Sequence, residues 1–228
     1  MRHWRHNPVQ KLVIASSNPG KLRELQAMLA PLGIEVLTQS QLGISEAEEP
    51  HGTFIENALA KARHASAASG LPALADDSGI CVNALGGAPG VQSARYAEGG
   101  DGGTAAHSPP TGRELLRQQA DTRNNEKLLR LMRGLADRRA HYYCVLVLVR
   151  HAEDPQPLIA EGEWHGEIGF EERGSGGFGY DPLFRLPQTG KMAAEMTHDE
   201  KALVSHRAQA LQTLLQRLAA HGSYLAPP

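Results

Sequence analysis

The sequence predicts an α/β fold with a mixed β-sheet and flanking helices, on three observations. Lys11 to Ser16 (KLVIAS) is a short apolar strand, and Asn18-Pro19-Gly20 is turn chemistry. Lys21 to Leu32 then places Leu22, Leu25, Met28, Leu29 and Leu32 on one helical stripe, stopped by Gly33 and followed by a strand at Ile34 to Thr38. That strand–turn–helix–strand opening points to α/β architecture. Further along, Ala140 to Arg150 and Leu158 to Ile168 read as two long strands around AEDPQP (Ala152 to Pro157), an antiparallel hairpin.

The remaining elements follow in order. Thr53-Phe54-Ile55-Glu56 is a capping box that starts an Ala-rich helix running to about Ser69. Ala73 to Ala75 and Ile80 to Val82 read as strand segments flanking Asp76-Asp77-Ser78-Gly79. Gly86 to Gly90 (GGAPG) fits neither a helix nor a central strand. From Glu98 to about Gln119 the chain turns to Gly, Ser, Pro and Thr and predicts a surface loop, with helix resuming from about Asn124 to Leu135. A second capping box, Thr197 to Glu200, precedes a closing helix with Leu211, Leu214, Leu215 and Leu218 in register. No internal repeat and no domain linker is visible.

Composition narrows the function classes. Hydrophobic residues make up 41% of 228 residues and charged residues 21%, which suits a packed core and excludes a disordered chain. Lys+Arg 23 against Asp+Glu 25 leaves a net charge of -2, no global field for nucleic acid or an anionic membrane. The longest apolar run, Tyr142 to Val149, is far shorter than the ~20 residues of a membrane span. Cys81 and Cys144 alone make neither a disulfide framework nor a closed zinc site. The first ten residues, MRHWRHNPVQ, lack the apolar core of a secretory signal. A soluble, cytoplasmic protein with no nucleic-acid or membrane partner is the expectation.

Four stretches carry chemistry. Ser16-Ser17-Asn18-Pro19-Gly20-Lys21 lies between a strand and a helix N-terminus, where free N–H groups and the dipole favour an anion. It is not a P-loop, since Ala15 stands at the first Gly position and Leu22 follows the Lys. The competing account is a tight turn with a solvated Lys. Asp76-Asp77-Ser78-Gly79 follows an apolar run, where unpaired charge is costly. If it is strand, its two carboxylates point to opposite faces. An Asp/Ser/Gly turn without function is the alternative. Gly174 to Pro182 (GSGGFGYDP) surrounds two aromatics and a carboxylate with glycines, which suits a flat ring stacked on Phe178 or Tyr180 with Asp181 at its edge. A Gly-rich hairpin with one core aromatic competes. Lys201 and Ser205-His206-Arg207 bracket the start of the last helix, cations that a ligand anion or carbonyl would offset. Glu46, Glu48 and Glu49 form an acidic cluster that alone reads as a solvated loop. Lys61 and Arg63, mid-helix among alanines, alone read as surface charges.

Taken in order, six motifs resemble the inosine/xanthosine triphosphate pyrophosphatase family from about Lys11 to Leu218. They are ASSNPGK (Ala15 to Lys21), TFIENALAKA (Thr53 to Ala62), ADDSG (Ala75 to Gly79), LGGAPGVQSARY (Leu85 to Tyr96), GGFGYDP (Gly176 to Pro182) and EK…SHR (Glu200 to Arg207). The resemblance implies an elongated two-lobed single domain over residues 11–221 with a central nucleotide cleft, assembled as a homodimer. It implies hydrolysis of ITP, dITP and XTP to the monophosphate and pyrophosphate, with Mg²⁺ as cofactor, cleansing the nucleotide pool.

By residue, the resemblance implies that Ser16, Ser17, Asn18, Pro19, Gly20 and Lys21 hold the triphosphate with Lys61 nearby. It implies that Asp77 is both the catalytic carboxylate and a metal ligand, partnered by Glu48 or Glu49, with Glu49 taken as the second ligand. Ser78 would touch the nucleotide. Phe178, with Gly179 and Tyr180, would stack the base, and Asp181, Lys201, His206 and Arg207 would read its edge. Two departures stand out. Residues 99–119 look like an insertion before the family's D-x-x-N pattern, here Asp121 and Asn124, and residues 1–10 are an extension with no evident role.

Overall fold

The computed structural model of the chain describes residues 11–98 and 110–220. Its strands are β1 (Lys11–Ile14), β2 (Glu35–Thr38), β3 (Ala73–Val82), β4 (Arg139–Val149), β5 (Leu158–Ile168) and β6 (Phe184–Arg185). They form one sheet in the order β2-β1-β3-β4-β5-β6. β1 pairs in parallel with β2 and with β3, whereas β6 adds antiparallel to β5. β4 and β5 are joined through residues 150–157, too short a link for a parallel crossover, so they form the predicted antiparallel hairpin. The sheet is mixed, as expected. Helices α1 (Pro19–Leu29), α2 (Phe54–Ser69), α3 (Pro110–Leu131), α4 (His198–Val204) and α5 (His206–Ala220) complete the α/β fold.

The described residues divide into two compact units. The first holds those up to Asp76, Val145–Ala160 and those from Leu211 onward; the second holds those within Asp77–Cys144 and Glu161–Ala210. In the first unit, Leu12, Val13 and Ile14 of β1 and Leu25 and Leu29 of α1 are buried. α2 turns Ala58, Ala62 and Ala65 inward, a seam of small side chains at helical spacing. Its start is fixed by Thr53, whose Oγ1 accepts the Glu56 N–H at 3.3 Å. In the second unit the core gathers around Tyr142, Trp164 and Phe184, with Ile80, Leu128, Met132 and Leu183 against them. Ring centres lie 4.7 Å apart for Tyr142–Phe184 and 5.1 Å for Trp164–Phe184, tilted as aromatic pairs prefer.

Three expectations change. Asp76 to Gly79 is not a turn between two strand segments, because β3 runs through it without a break. β3 continues here past its pairing with β1, which covers Ala73 and Leu74; Asp76 and Asp77 are 1% and 7% exposed, and the Ile80 N–H is taken by Ser93 Oγ at 2.9 Å. Burial within a continuous strand thus overrides the turn preference of Asp, Ser and Gly. Second, the surface loop is shorter than its composition suggests. Residues 99–109 lie outside the described residues, but α3 begins at Pro110, well ahead of Asn124. Proline is tolerated in a first helical turn, and RELLRQQ directly after Gly112 consists of good helix formers. α3 also ends at Leu131, short of Leu135. Third, the closing helix is two helices. The backbone turns extended at Ser205 (ψ 156°), whose Oγ accepts the Ala208 N–H at 3.2 Å to restart the chain as α5. The extension at residues 1–10 and residue 221 lie outside the described residues.

Candidate active site

In the first unit the turn between β1 and α1 is tied by its own polar groups. Asn18 stands at the N-cap, and its Oδ1 accepts from the N–H groups of Gly20 (2.9 Å) and Lys21 (3.2 Å). Ser16 Oγ accepts the N–H of Asn18 at 3.2 Å, and Pro19, which has no N–H, opens the helix. Ser16, Ser17, Asn18, Pro19 and Gly20 are all half-buried. The expectation of bare helix N–H groups is therefore corrected, since Asn18 already occupies two of them. The charge in the turn belongs to Lys21. Its ammonium lies 2.8 Å from Asp76 Oδ1, with the two side chains 15% and 0% exposed. β3 pairs with β1 at Ile14↔Leu74, just before this turn, which brings Asp76 to Lys21.

Lys61, read as a surface charge on residue type alone, lies 2.7 Å from Glu49 with its side chain only 12% exposed. The ammonium is thus brought to the acidic loop, and Glu49 rather than Glu48 is its partner.

In the second unit the hub is Asp181, itself 2% exposed. Its Oδ1 accepts the Tyr142 hydroxyl at 3.2 Å, and its Oδ2 accepts the Phe178 N–H at 2.9 Å and the Lys201 ammonium at 2.5 Å. Lys201 also stands 5.0 Å from the centre of the Phe178 ring. The loop's glycines make this possible. Gly177 holds φ 73°, and a Cβ there would collide with the Asp181 carboxylate. Burial, and then the Asp181 charge, hold the Tyr142 hydroxyl well above its usual 10.0, so it stays a neutral donor.

Of the other predicted residues, His206 meets this hub. His206 stacks on Tyr142 at 4.7 Å and 9°, and the fully buried Arg207 donates to Ser78 Oγ at 3.0 Å. Asp77 is buried, and alternation along β3 sends it to the face opposite Asp76. One expectation shifts. The Tyr180 ring is 3% exposed, donates to the Ser93 carbonyl at 2.8 Å and has its pKa raised by burial, so it belongs to the core. Phe178, half-buried, is the aromatic that offers a face. Asp181 has both carboxylate oxygens engaged inside the protein, and one of these bonds fixes the Lys201 ammonium.

Four residues in these contacts had no assigned role in the sequence: Asp76, Tyr142, Asp121 and Asn125. The last two tie α3 to Gly179, accepting its N–H (2.8 Å) and donating to its carbonyl (3.2 Å). A faint signal exists for them, polar residues one helical turn apart next to the buried Leu128. Among the described residues no three His, Cys, Asp or Glu side chains gather into a metal cage. Asp77 and Glu49 are hard oxygen donors, and Mg²⁺ takes one or two carboxylates and completes its shell with substrate phosphates and water. Their chemistry fits that ion.

The Ham1 family model matches residues 12–217. The chain is 60% identical over 210 residues to a dITP/XTP pyrophosphatase of Ralstonia nicotianae, covering 92% of this chain and 97% of that one. It is 58% identical over 211 residues to a dITP/XTP pyrophosphatase of Nitrosomonas europaea, covering 92% and 95%. A solved HAM1 protein from Coxiella burnetii superposes with a TM-score of 0.79 at 42% identity, over 93% of this chain and 100% of that one. With both sequence and backbone shared along nearly the whole length, the chain belongs to the Ham1 family.

Proposed function

We propose that this chain hydrolyses the triphosphates of non-standard purines, dITP, ITP and XTP, to the monophosphate and pyrophosphate, and so cleanses the nucleotide pool. Its relatives' names carry dITP and XTP. The observation that carries the reading is the Lys201 ammonium, fixed by Asp181 at 2.5 Å and standing 5.0 Å from the Phe178 ring centre. An aromatic face stacks a purine, and a cation at its edge donates to the 6-keto oxygen. Adenine presents an amino donor at that position and leaves Lys201 and Arg207 facing a donor. Polar mismatch of this kind separates substrates by ~10⁴ or more. His206, held by Tyr142, flanks the same edge.

The first unit takes the triphosphate. Lys21 and Lys61 are each paired with a carboxylate, but an ammonium has three donors and can add a phosphate oxygen without giving up its partner. Ser16, Ser17 and Asn18 supply short polar contacts beside Lys21. Asp77 orients or deprotonates the attacking water, a contribution of roughly 10²–10⁴-fold for a placed base. Asp77 and Glu49 are the carboxylates that would hold Mg²⁺, and the ion would supply charge neutralisation at the anhydride. Ser78, fixed by Arg207, touches the nucleotide next to that carboxylate.

The same reading carries a cytoplasmic homodimer that binds no nucleic acid. Among the described residues no helix is long and apolar enough to cross a membrane. The deciding experiment incubates the protein with ITP and Mg²⁺ and identifies the products. IMP with pyrophosphate is expected, and IDP with phosphate, or comparable rates on ITP, ATP, CTP and UTP, would refute the reading.

A further inference from the structure

The loop that carries Phe178 has few apolar anchors of its own: residues 171–177 are exposed. It is held at Gly179, and the hold comes from one face of α3. Asp121 and Asn125 are four residues apart and therefore neighbours on that face. The Asp121 carboxylate accepts the Gly179 N–H at 2.8 Å, and the Asn125 amide donates to the Gly179 carbonyl at 3.2 Å. An acceptor meets a donor and a donor meets an acceptor. Exchanging the Asn125 amide for a carboxylate would set an acceptor against the Gly179 carbonyl. Asn125 is 3% exposed, and its Oδ1 has no hydrogen-bond partner among the described residues, so its amide is buried for the sake of one donated bond. Gly179 holds φ 62°, while a Cβ there would meet nothing within 4 Å. Its conformation, not its lack of bulk, is what the helix grips.

From this we infer that Asp121 and Asn125 form a backbone clamp on Gly179 that sets the Phe178 ring against the base, making both positioning residues for purine selection. The inference rests on the reading of Phe178 as the base platform and adds the element that aims it. The bonds bracket Gly179, one residue from Phe178 on one side and from the buried Tyr180 on the other. With the clamp gone, the loop keeps its Asp181, Tyr180 and Gly176 anchors, the last through the Ala194 carbonyl at 3.0 Å, but loses both bonds to α3 at the residue after the ring. A displaced platform weakens binding of the base and leaves the hydrolytic step unchanged.

The test measures KM and kcat for ITP and dITP in four variants, with thermal midpoints alongside. Asp121→Leu and Asn125→Asp are each expected to raise KM about ten-fold with kcat within about three-fold. Asp121→Asn, which keeps an acceptor, should return KM to within about three-fold of the parent. Phe178→Ala, run in parallel, separates the two ideas. A raised KM in Phe178→Ala with an unchanged KM in Asp121→Leu overturns the clamp and spares the platform. An unchanged KM in Phe178→Ala overturns the platform itself and the clamp's role with it. A fall in kcat and thermal midpoint without a rise in KM would mark both residues as merely structural and overturn the inference. Amide exchange of the unsubstituted protein needs no variant to fold: the Gly179 N–H should be strongly protected, as should the Phe178 N–H that Asp181 accepts, and rapid exchange at Gly179 would sink the clamp.

Discussion

In the first unit Lys21 meets Asp76 and Lys61 meets Glu49 as separate ion pairs. In the second, Asp181 takes donors from Tyr142, Phe178 and Lys201 at once, and Tyr142 in turn stacks on His206. The difference is in what a single change removes. Taking Lys21 from Asp76 removes a full opposite charge, whereas taking the Tyr142 hydroxyl from Asp181 leaves the Lys201 cation in place. On the function proposed above, the first arrangement would serve groups that also grip a chain of phosphates. The second would serve a pocket whose donors must hold one geometry to tell one flat base from another.

The largest expected effect tests the two neighbouring carboxylates, one from each unit. Asp77→Asn keeps the shape, removes the charge and should lower kcat on ITP by roughly 10²–10⁴-fold with KM little changed. Turnover within a few-fold of the parent would remove Asp77 from the chemistry. Next, Lys21→Met leaves the fully buried Asp76 without this cation and should cost about 3–5 kcal/mol in urea unfolding. A loss below about 1 kcal/mol would place the pair among ordinary surface bridges. Smaller again, Tyr142→Phe takes one donor of three from Asp181 and should cost about 1 kcal/mol, with KM for ITP raised a few-fold. A cost as large as that of Lys21→Met would break the contrast between pair and hub.

The smallest effect is in pH. Burial raises the pKa of Tyr142 and of Tyr180 above the usual 10.0. A raised acid contributes stability that is fully present below its unfolded value and fades as pH climbs towards the folded one. Stability owed to these hydroxyls should thus be constant through neutrality and decline above pH 10.0. The urea midpoint of Tyr142→Phe should fall less steeply over that alkaline range. Parallel slopes for parent and variant would contradict the assignment.

What could be read from residues alone follows the same division. The Asn18 cap spans three residues, so turn, cap and helix start are written together in SSNPGK. Thr53 and Thr197 announce their helices for the same reason. Lys21's partner is not so written, because Asp76 reaches it only through the β1–β3 register. In the second unit, Tyr142 lies 39 residues from Asp181 and Asp121 lies 58 from Gly179, distances over which no periodicity carries information. Tyr180 and Phe178 differ by two positions and were interchangeable by type; only burial separates them. The unbroken β3 was obscured for a related reason, since Asp, Ser and Gly state a local preference that burial within the strand overrules.

The consecutive acids of β3 carry a consequence for how this chain tolerates change in length. Because side chains alternate with a period of two, deleting or inserting a single amino acid anywhere between Ala73 and Asp76 would turn Asp77 towards the face of Lys21 and Asp76 onto the opposite one. No point substitution nearby can repair such a slip; only a second change of length in the same strand can. Length variants should therefore be purged from this short stretch far more stringently than residue swaps, a pattern a deep scan of single-codon deletions would reveal directly.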